Sequence, residues 1–123
     1  MKILAIDDQQ LVLLPLQKKM KELGYRIRTT TDAHEGVGIY ERFQPDLVIV
    51  DINMPEMSGL EFIKHIRTHK KSSTPILVLS GNTSTDIIAE AFEFGINDYI
   101  KKPICLNQIC KRIKRINILF QTF

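Results

Sequence analysis

At 123 residues the chain has room for one domain with a real core and little room for a second, so 1–123 reads as a single unit. Its 44% apolar and 25% charged residues are ordinary for a globular protein, which argues against disorder, and no apolar run is long enough to cross a membrane. The net charge is +3, with Lys111, Arg112, Lys114 and Arg115 clustered near the C-terminus, where charges on one helix read as a solvated face rather than a nucleic-acid contact.

Met1-Lys2 leads directly into a strand-like run with no secretory signal pattern, which reads as a native start. Ile3-Leu4-Ala5-Ile6 is a short apolar strand ended by Asp7-Asp8. A helix follows with Leu13, Leu16, Met20 and Leu23 spaced for one face and Gly24 as its stop. Pro15 implies either a late start or a kink, because it lacks a donor and clashes one turn back. Residues 25–29 alternate enough for a second strand. Thr31-Asp32-Ala33 offers a cap for a helix carrying Val37, Tyr40 and Phe43, weakened by Gly36 and Gly38 at roughly 1 kcal/mol each relative to Ala.

The third strand, 47–50, is an unbroken apolar run that ends in Asp51, and Pro55 stops its continuation. The loop 53–59 gives way to a helix with Leu60, Ile63 and Ile66 inward. His65 and His69 on that helix have a spacing that can bind zinc, but Lys64, Arg67, Lys70 and Lys71 around them indicate a solvated basic face. After a polar loop, 76–79 is another buried strand, ended by Ser80-Gly81. Residues 82–86 are rich in capping types and precede Ile87, Ile88, Ala91 and Phe92 on a helix that Gly95 stops. Asp98-Tyr99-Ile100 is a last short strand, Lys101-Lys102-Pro103 turns the chain, and a final helix carries Leu106, Ile109, Cys110, Ile113, Ile116 and Phe120 at helical spacing. Cys105 and Cys110 lie too far round that helix for an unstrained disulfide and read as reduced thiols of a cytosolic protein.

Strands alternating with helices over short connections predict an α/β doubly wound (βα)5 sandwich with a parallel sheet and helices on both faces. Ligands of such sheets bind outside the carboxyl ends of the strands. With a flavodoxin-like order of 2-1-3-4-5, Asp7-Asp8, Asp51, Ser80 and Lys102 all converge on one rim. Carboxylates that close need a proton or a cation between them, and an oxygen-only set suits Mg²⁺. Asp8, Asp51 and the Asn53 main-chain carbonyl are the candidate ligands, with Asp7 acting through water. A cation there lets an anionic phosphoryl donor approach Asp51 as nucleophile, while Lys102 stabilises the charge on the transferring oxygens.

Asp7-Asp8 after the first strand, Asp51 with Met54-Pro55 and Gly59, Ser80 after the fourth, Asp98-Tyr99 and then Lys102-Pro103 resemble, in that order and spacing, the receiver domain of two-component response regulators. The resemblance covers the whole chain. It implies that Asp51 is phosphorylated by a histidine kinase or a histidine phosphotransfer protein, with the Mg²⁺ ligands just named. It also implies that Ser80 and Tyr99 form a switch pair, that Lys102 contacts the phosphoryl group, and that the bond before Pro103 is cis. On this reading the phosphoryl charge draws in Ser80, the ring of Tyr99 fills the space it leaves, and the face built by the fourth helix, fifth strand and fifth helix changes for an effector protein or fused effector domain.

Each residue also has a plainer reading: Asp8 as a helix cap, Asp51 as a turn residue, Ser80 as a cap, Lys102 as a solvated lysine, Tyr99 as core packing. The chain departs from the commonest receiver pattern at Gln9-Gln10, Pro15 and Ile104, and Asn53 and Asn82 match positions that tune dephosphorylation. A Mg²⁺-dependent aspartyl-phosphate hydrolase of the haloacid dehalogenase type needs an acid two residues after the nucleophile, where this chain has Asn53. An FMN module needs a phosphate-binding first loop, and here that loop is acidic. The output stays open between a stand-alone receiver and the receiver of a longer DNA-binding transcriptional regulator. Leu119, Phe120 and Phe123 pack on the domain itself, on a second copy or on a further segment, and Asp98-Tyr99 with Arg112 resemble regulators that dimerise through the fourth and fifth helices.

Overall fold

The computed structural model describes residues 1–54, 57–69, 72–81 and 84–121, with side chains described as far as 119. Pro55, Lys70, Lys71, Asn82, Thr83 and Phe123, and the side chain of Phe120, therefore lie outside the described residues. Five strands and five helices alternate: β1 Lys2–Ile6, α1 Gln10–Glu22, β2 Arg26–Thr30, α2 Ala33–Phe43, β3 Leu47–Asp51, α3 Gly59–His69, β4 Ile76–Ser80, α4 Thr85–Glu93, β5 Asp98–Lys101 and α5 Leu106–Gln121. The sheet is parallel in the order β2-β1-β3-β4-β5, as predicted.

Side chains alternate across β1, β3 and β4 to build two cores. Ile3, Ala5, Ile49, Leu77 and Leu79 meet α1 and α5 through Leu13, Leu16, Met20, Ile109 and Ile113. Leu4, Ile6, Val48, Val50 and Val78 belong to the other core, with Phe62, Ile63, Ile66 and Ala91 of α3 and α4. Burial on both faces is why the central strands are continuous apolar runs rather than alternating ones. Each fully buried Ile, Leu or Phe stabilises the fold by roughly 1.5–3 kcal/mol.

The helices differ from the expected pattern in instructive ways. α1 begins at Gln10 and runs through Pro15, so it does not start late, the other expectation for Pro15 being a kink. Leu23 is not on its inner face; it is the exposed C-cap, with Gly24 at φ 87° beyond it. Asp32 caps α2 by accepting from the His34 N–H, and Ser84 caps α4 by accepting from the Ile87 N–H. Gly36 is buried because a Cβ there would come within 2.6 Å of Ile6 Cδ1, so the glycine lets α2 approach β1. In α3 Phe62 is fully buried while Leu60 is only half-buried. Phe92 of α4 is 45% exposed and meets the Tyr99 ring edge-on.

The basic face of α3 is not simply solvated. Arg67 donates from Nη1 to the Ser72 carbonyl at 3.0 Å and from Nη2 to the Thr74 and Gly95 carbonyls at 2.7 and 2.9 Å. It thereby ties α3 to the loops before β4 and β5. Lys64 pairs with Glu90 of α4 at 3.0 Å, and the His65 and His69 rings stack at 4.7 Å.

Candidate functional site

Three parallel strands end side by side, and that register assembles the site. β1 lies against β3 and β3 against β4, with Ile6 opposite Val50 and Asp51 opposite Leu79. Asp51 is therefore carried on the last residue of a buried central strand and is itself only 3% exposed. Its Oδ1 accepts the Asn53 N–H at 3.0 Å, and its Oδ2 accepts from Lys102 Nζ at 3.1 Å. The start of α3 presses directly on this segment: a Cβ at Gly59 would lie 2.0 Å from the Asp51 carbonyl oxygen. Only glycine fits there, which is the physical reason for that element of the motif.

Asp7 follows the end of β1 and is fully buried. Its Oδ1 accepts the Gln9 N–H at 2.9 Å, which turns the chain into α1. Its Oδ2 lies 2.9 Å from Lys102 Nζ as an ion pair, but has no well-directed hydrogen bond. Asp8 stands exposed at the mouth, and carboxylate oxygens of Asp7, Asp8 and Asp51 all lie within 4.8 Å of one another. A buried oxygen without a hydrogen bond, in a carboxylate trio facing a single ammonium, is the donor set a hard divalent cation needs. The residues fit Mg²⁺.

Electrostatics follow from this enclosure. Burial pushes the Asp51 carboxyl above the ordinary 3.8 of an aspartate, and the Asp7 charge adds to the push, against the opposing effects of the Asn53 N–H and Lys102. For Lys102, burial acts downward, but the close Asp7 and Asp51 carboxylates outweigh it, so its ammonium is held above the ordinary lysine value. Among the described residues the rim is anionic, with the Lys102 ammonium fixed in it.

Lys102 reaches the site from just beyond β5, where its N–H donates to the Ser80 carbonyl at 2.6 Å and its peptide bond to Pro103 is cis, as expected. Ser80 ends β4 and is buried. Tyr99 lies two residues back along β5 from the register partner of Ser80, opposite Val78, and is 41% exposed. Ser80, Gly81, Thr85, Ile88, Tyr99 and Lys101 surround a cavity of about 190 Å³ between the hydroxyl and the ring. Thus Asp7, Asp8, Asp51 and Lys102 are brought together, Ser80 stands on the neighbouring strand, and Tyr99 shares a cavity with Ser80 rather than with the acids.

Sequence reasoning overlooked Gln9, whose Oε1 accepts from Lys102 Nζ at 3.1 Å and steadies the ammonium. Its position two residues after Asp7 was the available signal, set aside as an unusual helix start.

A doubly wound parallel sheet carrying a carboxylate trio and a lysine at its carboxyl rim defines an α/β domain with a candidate cation site at the strand ends. The family model of the response regulator receiver domain matches residues 3–114, and the chain belongs to that family. Over 116 residues it is 31% identical to the cell cycle transcriptional regulator CtrA of Caulobacter vibrioides and 30% identical to the cell cycle response regulator CtrA of Brucella ovis, covering 94% of this chain and 50% of each relative. The chain thus spans about half the length of the curated relatives it matches. Among solved structures, the chemotaxis protein CheY4 of Vibrio cholerae superposes with a TM-score of 0.86 at 30% identity, over 93% of this chain and 96% of that one. A two-component response regulator from Clostridium difficile superposes at 0.87 with 26% identity, over 94% and 93% of the two chains. The chain is accordingly a signalling receiver domain rather than a member of a classical enzyme family, and among the described residues no helix is long and apolar enough to cross a membrane.

Proposed function

We propose that residues 1–123 act as a single phosphorylation switch in which Asp51 takes a phosphoryl group from a phosphohistidine of a histidine kinase or histidine phosphotransfer protein in the cytoplasm. The observation that carries this is the state of Asp51: buried at a strand end, one oxygen on the Asn53 N–H and the other on Lys102, beside two further carboxylates. An Asp51 oxygen forms the new bond to phosphorus, the bond from phosphorus to the donor nitrogen breaks, and the imidazole leaves with that electron pair. The donor histidine belongs to the partner, because His34 lies at the cap of α2 while His65 and His69 stack on α3.

Asp8, Asp51 and the Asn53 carbonyl would hold Mg²⁺, with Asp7 through water, and the ion would supply positive charge against the carboxylates and the phosphoryl oxygens. Lys102 supplies the fixed cation for those oxygens. Ser80 donates its hydroxyl to one of them, and Tyr99 then turns inward into the cavity described above. The chain catalyses its own phosphorylation and dephosphorylation and nothing else. Asn53 in place of a second acid argues against the hydrolase reading.

The partner docks beside the site on α1, where Leu11 is 87% and Leu14 58% exposed, next to an open groove of about 600 Å³ that Leu11, Pro15, Lys102 and Ile104 help to line. Output leaves through α4, β5 and α5, to an effector protein, a fused effector domain or a second copy of this chain. The half-length match to CtrA, a transcriptional regulator by name, favours the reading in which this receiver controls a DNA-binding segment of a longer regulator. Nucleic acid is not a partner of 1–123 alone.

Incubation with acetyl phosphate and Mg²⁺ tests the core of this. One acid-stable, base-labile phosphoryl group per chain is expected, absent in Asp51→Asn. A wild-type chain that takes up no label, or a variant that still does, overturns it.

A further inference from the structure

At the opposite rim from Asp51, where β1 and β2 begin, the chain gathers positive charge around one ring. Lys2 Nζ, Arg26 Cζ and Arg28 Cζ lie 5.5, 5.6 and 5.5 Å from the centroid of Phe43. Lys2 Nζ also donates to the Phe43 carbonyl at 2.9 Å, which fixes the ammonium at the end of α2. With Arg42 these cations line an open groove of about 650 Å³ in which Glu35 is the acid present. Among the described residues, Arg26, Arg28 and Arg42 have no ion-pair partner. Arg42 lies back along α2 over Gly38, where a Cβ would meet its Nη1 at 3.2 Å, so a glycine that weakens the helix makes room for this guanidinium.

The underlying strand is an edge. β2 pairs with β1 on one side and ends the sheet on the other. Arg26 and Arg28 are exposed on the same side of it, with Ile27 buried between them. Extended chains repeat their side chains every second residue, so a segment laid along β2 presents carboxylates with the same spacing as these arginines. Guanidinium forks match carboxylates bidentately, and strand addition supplies main-chain hydrogen bonds while alternate side chains supply specificity.

We infer that the groove between β2 and the end of α2 is a docking site for an extended, carboxylate-rich segment of a protein partner, bound along the β2 edge and read by Arg26, Arg28 and Arg42. The site is independent of Asp51 chemistry and lies at the other end of the sheet.

The probe is a fluorescent peptide with glutamate at alternate positions among threonine and valine, titrated into the full chain by anisotropy. It binds roughly tenfold or more tightly than a peptide of the same composition with its glutamates in one block, and binding weakens as salt rises. The triple variant R26Q/R28Q/R42Q loses that binding, while its uptake of label from acetyl phosphate is unchanged, showing that it folds. Equal binding of the two peptides, or binding that survives in the variant, overturns the inference and leaves the arginines as charges that guard a sheet edge. An oligothymidylate or an anionic lipid vesicle of matched charge that displaces the alternating peptide at lower concentration also overturns it, in favour of a phosphate ligand.

Discussion

The carbonyl oxygen of Asp51 and the Cα of Gly59 are so close that a Cβ on residue 59 would sit 2.0 Å from that oxygen. The first turn of α3 therefore rests on the backbone that carries Asp51. Gly59→Ala must push β3 or α3 aside. Overpacking of this kind costs about 1–3 kcal/mol. The variant is expected to unfold at lower urea than the wild type and to take up phosphoryl label from acetyl phosphate more slowly, because Asp51 moves with its own backbone. Unchanged midpoint and rate would show that the helix yields without cost.

Lys102 is the cation fixed against Asp7 and Asp51, at 2.9 and 3.1 Å. Without the metal, the rim holds more negative than positive charge, and like charges a few ångströms apart near a surface cost on the order of a few kcal/mol before solvent screening. Asp7→Asn removes part of that repulsion. In EDTA it is expected to raise stability by about 1 kcal/mol, since the open mouth at Asp8 screens the rest. Calorimetry should show the opposite for Mg²⁺, with affinity lowered by roughly tenfold or more.

Asp51 titrates above the ordinary aspartate value of 3.8 because burial disfavours its charged form. The folded chain therefore holds this proton more tightly than the unfolded chain. Between the unfolded and the raised folded value, rising pH costs stability. Asp51→Asn is consequently expected to be more stable than the wild type at neutral pH without metal, with the difference shrinking as pH falls through that window and vanishing below 3.8. Urea unfolding in EDTA over a pH series reads this directly. Mg²⁺ binding by the wild type should weaken over the same window as protons compete for Asp51.

The cavity between Ser80 and Tyr99 gives the proposed switch a physical measure. Beryllofluoride with Mg²⁺, a mimic of the phosphoryl group, is expected to turn the Tyr99 ring from its exposed position into that space and break its edge contact with Phe92 at 6.0 Å. Ring-proton NMR shifts and solvent protection of Tyr99 report the move. Ser80→Ala should still take up label on Asp51 but leave Tyr99 outward. Movement of Tyr99 in that variant would disconnect the hydroxyl from the ring.

Much of the rim was legible in advance because it depends on chain order alone. In a parallel sheet every strand delivers its last residue to the same edge, so polar residues ending apolar runs converge whatever the details between them. Asp7, Asp8 and Asp51 were placed this way, and the structure brings their oxygens within 4.8 Å. The helices were less legible. Periodicity at Phe92 and Leu23 marked an apolar stripe but not whether a neighbour covers it, and both are exposed. Arg67 reads as one more surface cation until the carbonyls of Ser72, Thr74 and Gly95 are seen to surround it.

Local composition by itself determined the alternation of strands and helices, the parallel sheet and the residues that face its carboxyl rim. Tertiary structure decided the separations: the ion pairs of Lys102, the buried Asp7 oxygen without a hydrogen bond, the upward shift of Asp51, the space beside Tyr99 and the cations around Phe43. The reason is that the order of residues sets which groups share an edge. Coulomb energy, desolvation and steric fit depend on distances through space, and those arise only when the elements close on one another.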